Sequence, residues 1–405
     1  MYSQIKVMIN PSIHGWIDKF FVEQNPMQQS VFTDADRFYT NTRATGFIFG
    51  HITFFDTNNI IETKGWRIEE MSKVGLLNTL FQVFRLTTHT NDPDSFVKST
   101  IAFYNHMNPK GYNFFQKVLP SASNAYNLEN IIHERVQTNE DSISKNFSHI
   151  ITNALLFVDV LAFREYLENG SIPDKYLKKI EETIVSIISL SLKTKSTKSQ
   201  HDDLLIKLFE ASVRYSKFSK VSVNNLEDLN LHYFKNTLEQ KYFIDLAGMS
   251  LWSDGKVENE ESYFLFKLAE TMHLSDDFVT ESIHFTDHFI AENKKDIPYF
   301  NYSNPVKHFY DQTTESVATL ISRNKNRLLK ELSQSKELMQ LLAQSTQRDL
   351  DEKEKKKVKN QLLDICKSIP SLTIFLLPGG SLLLPILIKF IPKLLPSAFN
   401  ENEIE

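Results

Sequence analysis

The sequence predicts a mostly α-helical protein built from several segments. Only 11 Gly and 13 Pro occur in 405 residues, and long stretches without these helix breakers favour helices. Apolar side chains recur at intervals of three and four residues, the period of an amphipathic helix. The length exceeds what one hydrophobic core normally organises. We therefore expect an N-terminal region of unknown type (1–140), a helical region (141–225), a helical module (226–300), amphipathic helices (301–367) and an apolar, proline-spaced segment (368–405).

Composition excludes some classes of protein and indicates a compartment. The net charge of −5 argues against broad nucleic-acid binding and against direct base readout, which need clustered positive charge. A single cysteine, Cys366, precludes an internal disulfide and fits a reducing compartment. The first residues show neither a secretory leader pattern nor a transit-peptide pattern. We expect the bulk of the chain to lie in the cytoplasm.

Helices are predicted at several places in the first 225 residues. Ile68 to Leu86 and Ser95 to Met107 have helical patterns, whereas residues 45–67 fit either a hairpin or two short helices. Ala154 to Leu167 is followed by an Asn-Gly pair, which is typical of a helix C-terminus. A further helix is expected after Pro173.

Residues 226–300 contain a more distinctive pattern. The stretch from Phe243 to Glu261 indicates a helix, a tight Asp254-Gly255 turn and a second helix, and Ser275 is expected to cap a third. A small-residue helix, a D-G-x-hydrophobic turn and an acidic helix start resemble the TerB-like (tellurite-resistance-type) helical module. This resemblance covers about fifty residues.

The acidic residues of this module have two interpretations. Asp254, Glu258 and Glu261 are candidate ligands of a weak divalent-cation site, although turn and helix-cap roles already explain them. An EF-hand register would place a serine and a tryptophan where that loop needs carboxylates, so we do not expect a calcium loop of this type. His284 and His288 are four residues apart, but two ligands do not make a zinc site. We otherwise expect no cofactor.

Two further helices are predicted before the C-terminal segment. Apolar residues at multiples of three and four predict a long amphipathic helix from about Gln312 to Gln344. Asp351 and Glu354 form a capping pair for the next helix, Glu352 to Lys367. The start of that helix is basic, with Lys353, Lys355, Lys356, Lys357 and Lys359.

The C-terminal segment contains a long uncharged run. From Ser368 to Ile388 there are 21 residues without a charged side chain, more than the ~18 that signal a membrane segment. Pro378-Gly379-Gly380 divides the run into two halves, each too short to cross a bilayer alone. A kinked span and a re-entrant hairpin are the membrane alternatives, with flanking lysines at the headgroups. The soluble alternative is a Pro-broken apolar hairpin that packs on the preceding helix.

The end of this segment contains a proline-spaced pattern. The residues that form it are Pro378, Leu384, Pro385, Lys389, Phe390, Pro392, Leu395, Pro396, Ser397 and Phe399. This pattern resembles the signature of the LETM family (leucine-zipper, EF-hand-containing transmembrane proteins), and the lysine-rich helix before it is similar to that family's approach to the membrane. The resemblance implies an inner-membrane protein linked to cation and proton balance, with a ribosome-associated domain in eukaryotic members. Together with the TerB-like unit, it resembles bacterial LETM-related chains named for a biofilm association.

Two functional hypotheses follow. The sequence lacks a nucleophile elbow, a phosphate-binding glycine loop and catalytic metal-ligand spacing, so we expect no enzyme. The first hypothesis is a membrane-associated LETM-like protein at the cytoplasmic face of the bacterial inner membrane, attached by residues 368–399 and acting in cation/proton homeostasis or in envelope and biofilm behaviour. One short segment cannot line a transport pathway, so transport would require a homo-oligomer. The alternative is a soluble cytoplasmic scaffold whose TerB-like module and C-terminal helices bind a protein partner, with ribosome association implied only by the family resemblance.

Overall fold

A computed structural model of the chain describes residues 6–25, 34–107, 123–136, 153–194, 225–252, 259–293, 325–345 and 350–368, with a few isolated positions between them. This part is almost entirely helical, which confirms the mostly-α prediction. Its only strands are β1 (Lys6–Val7) and β2 (Ile60–Ile61), which pair in parallel. The chain divides into two compact units. The first comprises residues 1–139, 149–198 and 213–303, and the second comprises 140–148, 199–212 and 304–405.

The described part of the first unit contains ten α-helices and three short 3-10 turns. The 3-10 turns lie at Phe47–Phe49, Leu226–Asp228 and Leu231–Tyr233. The helices are α1 (Trp16–Gln24), α2 (Ala35–Ala44), α3 (Ile68–Thr88), α4 (Pro93–Met107), α5 (Asn124–Val136), α6 (Phe157–Asn169), α7 (Tyr176–Lys193), α8 (Thr237–Leu251), α9 (Asn259–Thr271) and α10 (Asp276–Asn293).

Helix α3 lies at the centre of this unit. It is buried around most of its circumference, and it packs against α2, α4, α5 and α6. A helix buried on all sides belongs to the interior rather than to the surface. At Gly75 the side chain of Ile52 comes so close that a Cβ atom on residue 75 would lie 2.1 Å from Cδ1 of Ile52. Glycine is therefore required there for close packing.

Most helices of the first unit follow the predictions. The helices expected at Ile68 to Leu86 and Ser95 to Met107 are present as α3 and α4, and α6 ends at a left-handed Gly170 as expected. Residues 45–67 form neither a hairpin nor two α-helices. They contain the 3-10 turn at Phe47–Phe49 and the strand β2. Strand β2 forms because it pairs with β1, more than fifty residues earlier in the sequence. That long-range pairing is invisible to a local pattern.

The second unit contains α11 (Lys325–Ser333), α12 (Lys336–Gln344) and α13 (Glu352–Ser368) in its described part. The long helix expected from about Gln312 to Gln344 is thus divided near its end. Ser335 has an extended backbone, and its hydroxyl accepts a hydrogen bond from the Leu338 N–H at 3.3 Å. A serine in this role starts a new helix. Residues 312–320 and 322–324 lie outside the described part.

Helices α11, α12 and α13 pack against one another. Each contributes apolar residues four positions apart, so that they form a stripe on one side of the helix. These side chains are fully buried. They are Leu328 and Leu332 on α11, Leu338 and Leu342 on α12, and Val358, Leu362 and Cys366 on α13.

The predicted capping pair of α13 is confirmed. The Glu354 N–H donates to Oδ1 of Asp351 at 2.8 Å, and the Asp351 N–H donates to Oε2 of Glu354 at 2.9 Å. These reciprocal bonds satisfy two backbone groups at the start of the helix. The start of α13 is therefore fixed at Asp351.

Candidate functional site: the lysine cluster of helix α13

The buried stripe of α13 determines which side of the helix faces water. Val358, Leu362 and Cys366 lie against the other two helices of the unit. Successive helix residues are rotated by about 100°, so Lys353 and Lys356 lie on the opposite side. Five exposed lysines occupy the first two turns, and we call them the lysine cluster: Lys353, Lys355, Lys356, Lys357 and Lys359.

Three described acidic side chains near the cluster are paired with cations. Arg348 donates to both carboxylate oxygens of Glu354, at 2.7 and 2.8 Å. These bonds hold the pKa of Glu354 at about 2, well below its usual value. Glu337 pairs with Lys357, and Asp364 pairs with Lys367 at 2.7 Å.

Three of the five lysines therefore have no counter-charge among the described residues. Lys353, Lys356 and Lys359 form no ion pair with any residue in the described part of the chain. Residues 352–359 contain five lysines against two glutamates. This end of the helix is consequently positive in a protein whose net charge is −5.

The position of the cluster is unfavourable for the isolated helix. Cations near a helix N-terminus oppose the helix dipole. Lys353 and Lys357, and likewise Lys355 and Lys359, are four residues apart, and like charges at that spacing destabilise a helix by roughly 0.2–0.5 kcal/mol per pair. A negatively charged partner would reverse both effects.

Cys366 is not a reactive group. Burial raises the pKa of its thiol to about 12, so it stays protonated at neutral pH and is a poor nucleophile. It packs as a small apolar residue in the stripe of α13.

The candidate metal ligands are only partly described. Glu261 lies on α9 and is 1% exposed, whereas Asp254 and Glu258 lie outside the described residues. Within the described residues, no group of three or more His, Cys, Asp or Glu side chains is placed to hold a metal ion. His284 and His288 are both exposed, and His288 pairs with Glu292 at 3.2 Å. The acidic metal site remains a prediction.

The C-terminal signature also lies beyond the described residues, which end at Ser368. All ten signature residues, from Pro378 to Phe399, belong to that segment. Among the helices described, none combines the length and the apolar character needed to cross a membrane. Membrane attachment by residues 368–399 therefore stays a prediction.

A buried polar cluster in the first unit was missed by the sequence analysis. Asp245 of α8 is fully buried, and it accepts hydrogen bonds from the Tyr39 hydroxyl at 2.5 Å and from the Ser282 hydroxyl. Arg43 lies 3.7 Å from its carboxylate and also pairs with Glu281. Burial raises the pKa of Asp245, and the charge of Arg43 opposes this effect. A charged residue inside the apolar run of α8 was the available signal.

This cluster joins elements that are distant in sequence. Tyr39 and Arg43 belong to α2, whereas Asp245 and Ser282 belong to α8 and α10. Gly46, just after α2, approaches Phe289 of α10 so closely that a Cβ atom would lie 2.8 Å from the ring. Helix α2 therefore shares one core with α8 and α10.

Comparison with known proteins gives one match. Residues 350–405 match the protein-family model described as "LETM1-like, RBD". No curated protein matches the chain, and no solved structure does. The TerB-like resemblance thus has no support from these comparisons. The match includes all of α13 with its lysine cluster and the whole proline-spaced signature. The C-terminal part of this chain is therefore similar to LETM1-like proteins.

Proposed function

We propose that this is a non-enzymatic, LETM-like protein that attaches a helical unit to the cytoplasmic face of the inner membrane of a bacterium. The observation that carries the proposal is the overlap of two segments in the sequence. The uncharged run of 21 residues lies entirely inside the segment that matches the LETM1-like family model. A run of this length is long enough to enter lipid, provided that protein groups satisfy the backbone near its prolines.

The non-enzymatic role is supported by what the buried carboxylates do. Asp159 accepts hydrogen bonds from Arg135 and, at 3.0 Å, from the Tyr104 hydroxyl. Glu129 accepts bonds from the Gly15 and Ile17 N–H groups, which begin α1. These acids hold helices together, so they are unsuited to proton transfer with a substrate.

The family resemblance suggests the cellular role. We infer a contribution to cation and proton homeostasis, or to envelope and biofilm behaviour. A single segment of this length cannot line a pathway for ions, so a transport role would require a homo-oligomer.

A specific observation favours a second candidate, a soluble cytoplasmic scaffold. The apolar stripe of α13 is already buried against α11 and α12, so this helix needs no lipid to cover it. In that case residues 368–399 would pack against protein. The TerB-like module and the C-terminal helices would bind a protein partner, and the ribosome is a candidate by resemblance alone.

Vesicle flotation tests the first candidate against the second. The full chain is mixed with vesicles of neutral phosphatidylcholine and centrifuged through a density gradient, beside a variant that ends at Ser368. We expect the full chain to float and the shortened variant to remain at the bottom. Full-length protein that stays at the bottom without detergent, with residues 369–399 protected from protease, would contradict membrane attachment and favour the scaffold.

A further inference from the structure

We propose that the lysine cluster of α13 is an interaction surface for anionic phospholipid headgroups. This surface would select a negatively charged leaflet and would orient the second unit on it. The proposal rests on the proposed membrane attachment and adds a partner of defined chemistry to it.

The packing of α13 presents the cluster outward. Val358, Leu362 and Cys366 are fully buried against the other two helices of the second unit. Rotating α13 to hide its lysines would expose this apolar stripe to water, which is unfavourable. The packing of α13 in the second unit therefore fixes the side of the helix that carries the lysines, and that side faces the solvent.

Three of the five lysines in the cluster have charges that are available to a partner. Lys353, Lys356 and Lys359 form no ion pair among the described residues. The neighbouring Glu354 is engaged by Arg348, and Glu337 is engaged by Lys357 of the cluster itself. A lysine ammonium is a compact point charge on a flexible stem, which suits mobile headgroup phosphates. An anionic surface would also relieve the repulsion between these lysines and the helix dipole.

The sequence favours a membrane as the anionic partner of the lysine cluster. Helix α13 ends at Ser368, where the uncharged run begins. Ser368 lies nine positions after Lys359, which at a helical rise of 1.5 Å per residue is about 14 Å. A lipid surface that receives the run is thus within reach of the cluster.

RNA is the less suitable polyanion. Proteins that bind single-stranded RNA typically stack bases on aromatic side chains or on arginine. Residues 352–359 contain neither an aromatic residue nor an arginine. The cluster consists of lysine alone, and the nearby Arg348 is paired with Glu354.

Vesicle binding by the full chain tests the proposal. We compare neutral phosphatidylcholine vesicles with vesicles that contain about 30% phosphatidylglycerol, at about 0.1 M salt. The test variant carries K353Q, K356Q and K359Q. A matched control carries K325Q, K330Q and K336Q, which remove the same charge from exposed lysines of α11 and α12. Circular dichroism establishes that both variants keep their helices.

We expect the wild type and the control to bind anionic vesicles more tightly than neutral ones. In the test variant this preference should fall on the order of 100-fold, because each lysine contributes a few-fold near an anionic surface. Raising the salt to about 0.5 M should weaken the preference of the wild type.

The outcomes separate this proposal from the proposed function. Equal binding to neutral and anionic vesicles would uphold membrane attachment and overturn the role of the cluster. Binding to neither kind of vesicle would overturn both. A loss of preference that is equal in the control variant, or lysine-dependent binding to a single-stranded RNA without any lipid preference, would also overturn the headgroup assignment.

Discussion

The Tyr176 hydroxyl donates a hydrogen bond of 2.6 Å to the carboxylate of Glu239 at the junction of α6, α7 and α8. Glu239 is 3% exposed, and its other oxygen accepts from the Asn236 N–H at 3.4 Å. The guanidinium of Arg164 is engaged with Asn236 and Glu168. Burial is the main cause that raises the pKa of Glu239, to about 7.

Other titratable groups around Glu239 act in both directions. The nearby carboxylate of Glu165 adds to the rise in its pKa, whereas Arg164 and the bonds from Tyr176 and Asn236 oppose it. The pKa of Glu165 is itself raised by burial and by Glu168. The junction therefore binds protons more tightly when folded.

The first prediction concerns the pH dependence of stability at this junction. The folded pKa of about 7 exceeds the ordinary glutamate pKa of 4.5, so the stabilising contribution of Glu239 is complete below pH 4.5 and is lost as pH rises through 7. The difference corresponds to about 3 kcal/mol. We expect the first unit to unfold at lower denaturant concentration at pH 8 than at pH 5, and E239Q to lose most of this dependence.

Tryptophan fluorescence isolates the relevant transition. Trp16, Trp66 and Trp252 are the three tryptophans of the chain, and all lie in the first unit. Denaturation of wild type and E239Q is followed at pH 5, 6, 7 and 8, which covers most of the interval in which Glu239 is expected to titrate. If the free energy of unfolding changes equally with pH in the two proteins, Glu239 does not titrate in this range.

A second prediction concerns the buried Asp245. Replacing it with alanine leaves the Arg43 guanidinium, which is 1% exposed, without its buried counter-charge. Breaking a buried pair in this way costs roughly 3–5 kcal/mol. We expect D245A to lower the free energy of unfolding of the first unit by that amount in urea denaturation.

Y39F is the matched control for Asp245. It removes only the hydroxyl that donates to the carboxylate, so the loss should be roughly 1–3 kcal/mol. Equal losses in D245A and Y39F would mean that Arg43 is not stabilised by Asp245.

A third prediction concerns the close approach at Gly75. Alanine normally stabilises a helix interior by up to about 1 kcal/mol over glycine, but here its Cβ would lie 2.1 Å from Cδ1 of Ile52. We expect G75A to destabilise the first unit by roughly 1–3 kcal/mol. The change I52V removes that carbon and should restore part of the loss in the double variant.

Gly248 of α8 provides the control for Gly75. An added Cβ there would meet its nearest atoms at 3.9 and 4.0 Å, which is ordinary contact. G248A should therefore be neutral or stabilising. A stable G75A protein, or a G248A protein that is equally destabilised, would contradict the packing argument.

Local sequence patterns predicted some features of this protein and missed others. Helices α3, α4 and α13 were predictable because their period and their caps are local properties. The capping pair of Asp351 and Glu354 was visible as two residues at the right spacing. The lysine cluster was equally visible, but its exposure became evident only when the stripe of α13 was placed against α11 and α12.

The missed features depend on contacts between distant residues. Tyr39 and Asp245 are 206 residues apart, and Tyr176 and Glu239 are 63 apart. No local pattern predicts which buried acid will meet which hydroxyl. At Ser335 the sequence pattern predicted a continuity that the structure does not have. The apolar period continues through this residue, but its side chain caps the start of a new helix.

The last prediction concerns the start of α13, on which the orientation of the lysine cluster depends. The Asp351 carboxylate accepts the Glu354 N–H at 2.8 Å, and losing such a cap costs about 1 kcal/mol. We expect D351A to speed hydrogen exchange of the Glu354 amide roughly fivefold, because local opening becomes easier. D351S should restore protection, since serine also caps helices well. Unchanged exchange in D351A would show that the lysine-rich first turn is held by other contacts, with the Arg348–Glu354 pair the next to remove.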